Sequence, residues 1–272
     1  MNKEPDYPSN LAKKLRINEQ NVYYHIRQLK NSGLIEIVRE EEKKGALCKY
    51  YAPTAKAFGF ELSGKKKEIK LGKKSFSPGI INFFNEFIKE GTFDGNIVVG
   101  SPSQHGPYLT AARDGHYAVH LGFFLGELCT LENKFVVMLD TEVKSEKKEN
   151  RNLILIGGPV TNILVSEINK NLKINFEWRK KWFIKGKKRY AKENVCLIAK
   201  IKNPFNKNKK IIVVSGLHFE GTKAGIIALT SFYKYFIKKY QHNKDFYAVI
   251  NGLDKDGDGK IDDVEILETK NY

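Results

Sequence analysis

The residues with the clearest chemical capacity stand near the C-terminus, in the stretch DKDGDGKIDDVE at 254–265. Asp254, Asp256 and Asp258 occupy positions 1, 3 and 5 of a twelve-residue loop, with Gly259 at 6, the Lys260 carbonyl at 7, Ile261 at 8, Asp262 at 9 and Glu265 at 12. Calcium takes roughly six to eight oxygen ligands, one carboxylate among them bidentate, and this spacing offers that set. The loop therefore predicts a structural calcium ion that pins the strand before it to a short final helix. An acidic solvated tail is the alternative reading.

A second group of residues comes from segments expected at strand ends. His105, Arg113, His116 and His120 lie in or beside HGPYLTAARDGHYAVH, Asp140 in DTE, Gly157 and Gly158 in GGP, and His218 in SGLHFEG. A helix over 108–128 would set Arg113, His116 and His120 on one face, and two His at i, i+4 suit a metal. Gly157 and Gly158 before Pro159 would let backbone N–H groups face an anion, although simple turn glycines are the more common meaning of such a pair. Against catalysis, no Glu adjoins the first His as in HExxH, no Ser or Cys occupies a nucleophile elbow, and both GxGxxG and GxxxxGK[ST] are missing. The chain is not expected to be an enzyme. A ligand-sensing pocket and a structural polar network both remain open for these eight residues.

Residues 169–210 hold fifteen basic side chains against two acidic ones, Glu177 and Glu193, a local balance of +13. Aromatics interleave them in NFEWRKKWFIKGKKRY, which fits a hairpin with Gly186 in its turn and two Trp on one side. Such a surface could meet phosphates or unpaired bases. Solvated strands over a hydrophobic sheet are the other meaning.

These residues need elements to position them. Near the N-terminus, Ser9 is placed to cap a short helix through Leu15, and Asn18 to cap the next. Val22, Ile26 and Leu29 at i, i+4 and i+7 give that second helix one buried stripe. Gln20, Asn21, Tyr23, Tyr24, Arg27 and Lys30 are left for the other side, long polar or basic side chains of the kind that read a major groove. Gly33 can take the left-handed conformation at the helix end. Strand-like LIEIV and LCKYYAP then flank REEEKKGA, a hairpin with Lys43, Lys44 and Gly45 at its tip. His25 reads as a packed or backbone-bonded residue rather than a ligand.

Helix, turn, helix and hairpin over residues 7–62 resemble the archaeal and bacterial ArsR-type winged helix-turn-helix regulators. Val22, His25, Ile26, Leu29, Gly33, Leu34 and Ile35 match their recognition-helix pattern. The resemblance implies double-stranded DNA as partner, read by the second helix with lysines of the wing on phosphates. The family normally has a helix before the SNLAKKL element, so the chain is expected to be truncated or to start downstream of its true first residue.

Residues 61–79 are rich in Lys and Gly and lose periodicity, so 63–79 is assigned as a basic linker. After residue 80, GNIVVGS, FVVMLDTEV, NLILIGGP, CLIAKI, KIIVVSGLHF and YAVINGL are near-continuous apolar runs, as strands buried on both faces require. Helical segments are expected at 108–128, 160–171 and 222–240. The fold class is α/β: a small winged helix at 1–62, then a larger, mostly parallel-sheet α/β domain at 80–272 ending in the EF-hand-like loop. NLILIGGPVTNILVSEIN and DKDGDGKIDDVEIL resemble the C-terminal region of euryarchaeal S-layer-type proteins. The two-part layout is similar to that of archaellum-operon activators of methanogens, which implies a homodimer or contacts to the transcription machinery through the α/β domain. An S-layer-related structural or assembly protein with a vestigial winged helix is the alternative.

The formal charge of +16 over 272 residues admits anionic partners. Of the 47 basic residues 40 are Lys, so part of the excess reads as the surface of a heat-adapted protein. Cys48, Cys129 and Cys196 are widely spaced and odd in number, against a disulfide framework or zinc ribbon. With neither a long apolar run nor a signal-peptide pattern, a cytoplasmic protein without membrane contact is expected.

Overall fold

The computed structural model describes residues 4–43, 46–55 and 76–272. Lys44, expected at the wing tip, and residues 63–75 of the expected linker lie outside the described residues. The chain divides into two compact units, Met1–Lys70 and Leu71–Tyr272.

In the first unit α1 (Pro8–Leu15) and α2 (Glu19–Asn31) precede an antiparallel hairpin of β1 (Ile35–Lys43) and β2 (Ala46–Pro53). Helix α1 begins one residue before the expected cap. Pro8 takes its first position, where the missing N–H costs nothing, and Ser9 is drawn inside the first turn to bond Glu19. Buried Asp6 organises this end instead, accepting from Asn10 Nδ2 at 2.7 Å and Lys14 Nζ at 2.8 Å. Asn18 caps α2 through a bond from the Gln20 N–H. Gly33 adopts φ +69°, and the next N–H reaches back to the Leu29 carbonyl, closing the helix. Leu11, Ala12, Val22, Ile26, Ile35 and Tyr51 form the buried core.

The second unit runs α3 (Pro78–Phe83), β3 (Ile88–Lys89), β4 (Thr92–Phe93), β5 (Asn96–Val99), α4 (Tyr117–Leu128), β6 (Val137–Leu139), α5 (Asp140–Ser145), β7 (Leu153–Ile156) and α6 (Ile163–Ile168). A small meander follows, β8 (Asn175–Trp178), β9 (Trp182–Lys185) and β10 (Arg189–Tyr190). The chain then closes with β11 (Val195–Asn203), β12 (Asn206–Gly216), α7 (Phe219–Thr230), α8 (Lys234–Ile237), β13 (Phe246–Leu253) and β14 (Asp263–Asn271). Seven strands make the main sheet in the order β14-β13-β11-β12-β7-β5-β6.

Successive residues of these strands feed opposite cores, which is why their sequences read as unbroken apolar runs. Ile97, Ile154, Ile212 and Ala248 pack with Phe83, Leu121, Ala224 and Phe236 of α3, α4, α7 and α8. Val98, Leu155, Val213 and Val249 face Val143, Leu164 and Val165 of α5 and α6, and Phe176 and Ile184 of the meander.

Three expectations need correction. The sheet is mixed rather than mostly parallel: β12–β7, β7–β5 and β5–β6 are parallel, but β11–β12, β11–β13 and β13–β14 are antiparallel. A strand covered on both faces is apolar throughout in either orientation, so the pattern could not separate the two. The helix expected from 108 starts only at Tyr117, because Gly106, Pro107 and Leu109 (φ 47°) turn the chain and Asp114 goes inward before Gly115. The final helix is instead β14, whose backbone pairs along the whole of β13 and makes β13 an inner strand of the sheet.

Candidate functional site

Helix α2 buries Val22 and Ile26 and leaves Gln20, Asn21, Tyr23, Tyr24, Arg27 and Lys30 exposed. Among the described residues none of these six side chains forms an ion pair, and Tyr23 and Tyr24 are 52% and 60% exposed. His25 is exposed too, its ring edge against Tyr24 at 5.4 Å, not packed as expected. The wing differs. Its acids consume its bases: Glu40 pairs with Lys49 at 3.4 Å, and Glu41 with Arg39 and Lys43 at 3.8 and 3.9 Å. Lys43 Nζ also donates to Tyr50 Oη at 2.7 Å, a bond that raises its pKa.

In the second unit, the loops at the carboxyl ends of β5, β6, β7 and β12 meet around two buried aspartates. Strands β5 and β7 are neighbours whose connections leave in opposite directions, the place where such sheets open a crevice. Asp140, fully buried, accepts from the N–H groups of Ser101 at 3.0 Å, Thr141 at 2.8 Å and Ile163 at 2.8 Å, and lies 2.8 Å from His105 Nε2. His105 Nδ1 is 2.8 Å from the Ser103 carbonyl. Burial opposes a cation here, but two acceptors that both call for an N–H raise the His105 pKa above its ordinary value. This pair ties three loops together and has every polar atom engaged, so its work is structural.

Asp114 is the residue that sequence reasoning passed over. It is 4% exposed; Oδ2 accepts from Thr222 Oγ1 at 2.9 Å, while Oδ1 has no hydrogen-bond partner among the described residues. Burial raises its pKa. Gly157, at φ +107°, lies so close that a Cβ there would meet both Asp114 oxygens at 3.3 and 3.4 Å. The only sequence signal was an acid between Arg113 and Gly115, which reads equally as a turn.

Of the eight expected pocket residues, Arg113, Gly158 and His218 line one cavity of about 580 Å³, together with Asp114, Thr161 and Trp182. Arg113 has no ion-pair partner among the described residues, and α7 starts behind His218 without a side-chain cap. His105, Asp140 and Gly157 belong to the frame around it. His116, just before α4, and His120, on it, are exposed, and no metal-ligating group among the described residues includes them. Without a helix at 113 their expected common face with Arg113 does not form.

The terminal loop joins β13 to β14 as the turn of a hairpin. Asp254 accepts from the N–H groups of Gly257 and Gly259, both at 2.8 Å, which fold the loop around its carboxylate. Asp254, Asp256 and Asp262 bring carboxylate oxygens within 4.8 Å of one another. Asp258 is held by Lys260 Nζ at 3.0 Å, and Glu265 stands in β14 opposite Asn251, 3.4 Å from its Nδ2. The donors are all hard oxygens, as calcium prefers, with three of the five expected carboxylates converged.

Residues 2–38 match a helix-turn-helix domain family, ArsR-like in kind. Residues 127–233 match the S-layer like family, outer domain. Both resemblances read from the sequence are thereby met, and neither family is one of enzymes. An uncharacterized protein of Methanocaldococcus jannaschii is 33% identical over 128 residues, 44% of this chain. The chain spans 27% of that relative's length.

Proposed function

We propose that the protein is a cytoplasmic DNA-binding transcription regulator whose α2 reads promoter sequence in the major groove. The observation that carries this reading is the exposed face of Gln20, Asn21, Tyr23, Tyr24, Arg27 and Lys30, free of ion pairs among the described residues, on a helix fixed by a cap at one end and Gly33 at the other. Arg suits the N7 and O6 of guanine, and Gln and Asn suit adenine. Lys43 and Lys44 would add phosphate contacts from the wing, weakened by its glutamates. No described helix is long and apolar enough to cross a membrane. A genome-wide map of bound DNA tests the proposal: discrete promoter sites support it, and uniform or absent occupancy removes it.

The α/β unit is proposed to dimerise and to sense. The outer side of α4 exposes Val119 and Phe123 beside Gly122 and Gly126, next to Leu131 and the edge strand β6. Residues 90–133 contain a single basic residue, Arg113, in a chain with 47. A two-fold contact sets each patch against its own copy, so a mainly apolar surface without basic residues is what self-association of so basic a chain requires. Light scattering on Phe123→Asp checks this: the wild type should be a dimer and the variant a monomer. The cavity lined by Arg113 and His218, at the uncapped start of α7, favours an anionic effector. Recruitment of transcription machinery remains a role proposed for this unit.

Calcium at the terminal hairpin is proposed as a clip, held by Asp254, Asp256 and Asp262, with Asp258, the Lys260 carbonyl and Glu265 as the remaining donors of the sequence pattern. The second functional reading, an S-layer-related structural or assembly protein, is favoured by the match over 127–233. Recovery of the native protein from the cell envelope rather than with DNA would establish it.

A further inference from the structure

Both tryptophans of the chain stand at the turn end of one hairpin. Trp178 ends β8, Trp182 begins β9, and Arg179, Lys180 and Lys181 join them. The rings meet edge to face with centroids 5.6 Å apart, and Trp178 is 60% exposed. Trp182 packs against the core beside Phe176, Ile184 and Tyr190, which already fill the inner side of the meander, so the fold does not call for a second indole at Trp178. Large aromatics left in water beside unpaired charge mark contact surfaces.

A groove of about 590 Å³ opens beside the pair, lined by Trp178, Trp182, Lys181, Lys192, Asn194 and His218 among others. Its charge is available. Arg179, Lys180, Lys181 and Lys192 have no ion-pair partner among the described residues, whereas Lys185 is paired with Glu177 at 2.6 Å. Arg189 is stacked over Phe183 at 4.1 Å. The acid lining the groove, Glu193, stands 4.0 Å from His218.

A polyanion fits the charge, and the exposed indole chooses among polyanions. In a duplex the bases are stacked on one another and offer an indole nothing, while a single strand offers free base faces. We propose that this hairpin binds single-stranded nucleic acid, with an unpaired base against Trp178 in the groove and phosphates on Arg179, Lys180, Lys181 and Lys192. The site is independent of duplex reading by α2.

The experiment is a titration of the full chain followed by its own tryptophan fluorescence, since the first 177 residues contain no Trp. Three probes are used: an oligothymidylate, a blunt duplex and vesicles containing phosphatidylserine. Oligothymidylate should quench the emission saturably and more weakly as salt rises, while the duplex leaves it unchanged. By anisotropy of a labelled oligothymidylate, Trp178→Ala should bind about tenfold or more weakly, as loss of one stacked base requires. Trp178→Phe should retain most of the affinity. An unquenched emission, or equal affinity of Trp178→Ala, overturns the proposal. A blue shift with vesicles and no response to oligothymidylate assigns the hairpin to a membrane surface instead.

Discussion

Through residue 62 the chain carries eleven basic residues against eight acidic ones, a balance of +3, whereas residues 169–210 carry fifteen against two. The region proposed to read DNA is therefore the less charged of the two. Helix α2 presents hydrogen-bonding side chains at fixed positions on a rigid element, and its wing neutralises its own bases. The Trp178–Trp182 hairpin presents density of charge and exposed rings. The difference separates two kinds of nucleic-acid affinity: sequence is read by placed donors and acceptors, and charge supplies binding that ignores sequence. A net charge of +16 says little about where recognition lies.

The sharpest way to break this comparison is to remove one unit's core. Ile26 is 5% exposed in a core of a few residues, so Ile26→Ala should cost roughly 2–5 kcal/mol and unfold the first unit. Duplex recognition should vanish while quenching by oligothymidylate persists, and loss of both would show that the two surfaces are not separate. Next in size, Arg27→Ala should weaken the preferred duplex by about 1–3 kcal/mol and relax its sequence preference. The triple change of Arg179, Lys180 and Lys181 to Gln should instead flatten the salt dependence of single-strand binding and leave duplex preference intact. Competition assays at two salt concentrations separate these outcomes.

Lys200 sharpens the comparison from inside. It counts among the fifteen bases, yet its side chain is 1% exposed and donates to the Phe83 carbonyl at 2.8 Å, Glu86 at 2.5 Å and Tyr240 Oη at 2.8 Å. Burial lowers its pKa to about 8, against the pull of Glu86. The native state then sheds this proton before the unfolded state does, so between pH 8 and the ordinary lysine range the unfolded chain binds more protons and stability rises with pH. Urea unfolding should show wild type gaining on Lys200→Met from pH 7 to pH 10, with nucleic-acid binding at pH 7 unchanged. A pH-independent difference between the two would contradict this. The smallest expected effect is that of calcium: the melting temperature should rise with the logarithm of its concentration, and Asp254→Asn should abolish most of the rise. Calorimetry with and without chelator decides it, an unchanged transition leaving only an acidic turn.

The winged helix was legible because its signals are local: a capping Asn18, a stripe at 22, 26 and 29, and a glycine at the end. The six apolar runs of the large unit also became strands β5, β6, β7, β11, β12 and β13. Their direction was not legible, since burial on both faces hides it. Strand β14 was missed because a calcium-loop pattern carries the expectation of a helix after it, while the demand of β13 for a partner is a tertiary fact. The strand-end residues fared unevenly for the same reason. His105 and Asp140 meet across 35 residues of sequence, and Asp114 is bonded to Thr222 across 108, distances over which spacing carries no information. Among the fifteen bases, Lys202, Lys207, Lys209 and Lys210 lie at the opposite end of the β11–β12 hairpin from Trp182, so a run in sequence became two places on the surface.

The central claim is that α2 reads duplex sequence, and selection from a random duplex pool tests it most directly. Wild type and Arg27→Ala are carried through the same rounds, with thermal melts confirming that both are folded. The account predicts one enriched motif for wild type and the loss of preference at one base pair, or a short step around it, for Arg27→Ala. No enriched motif, or the same motif for both proteins, would contradict it.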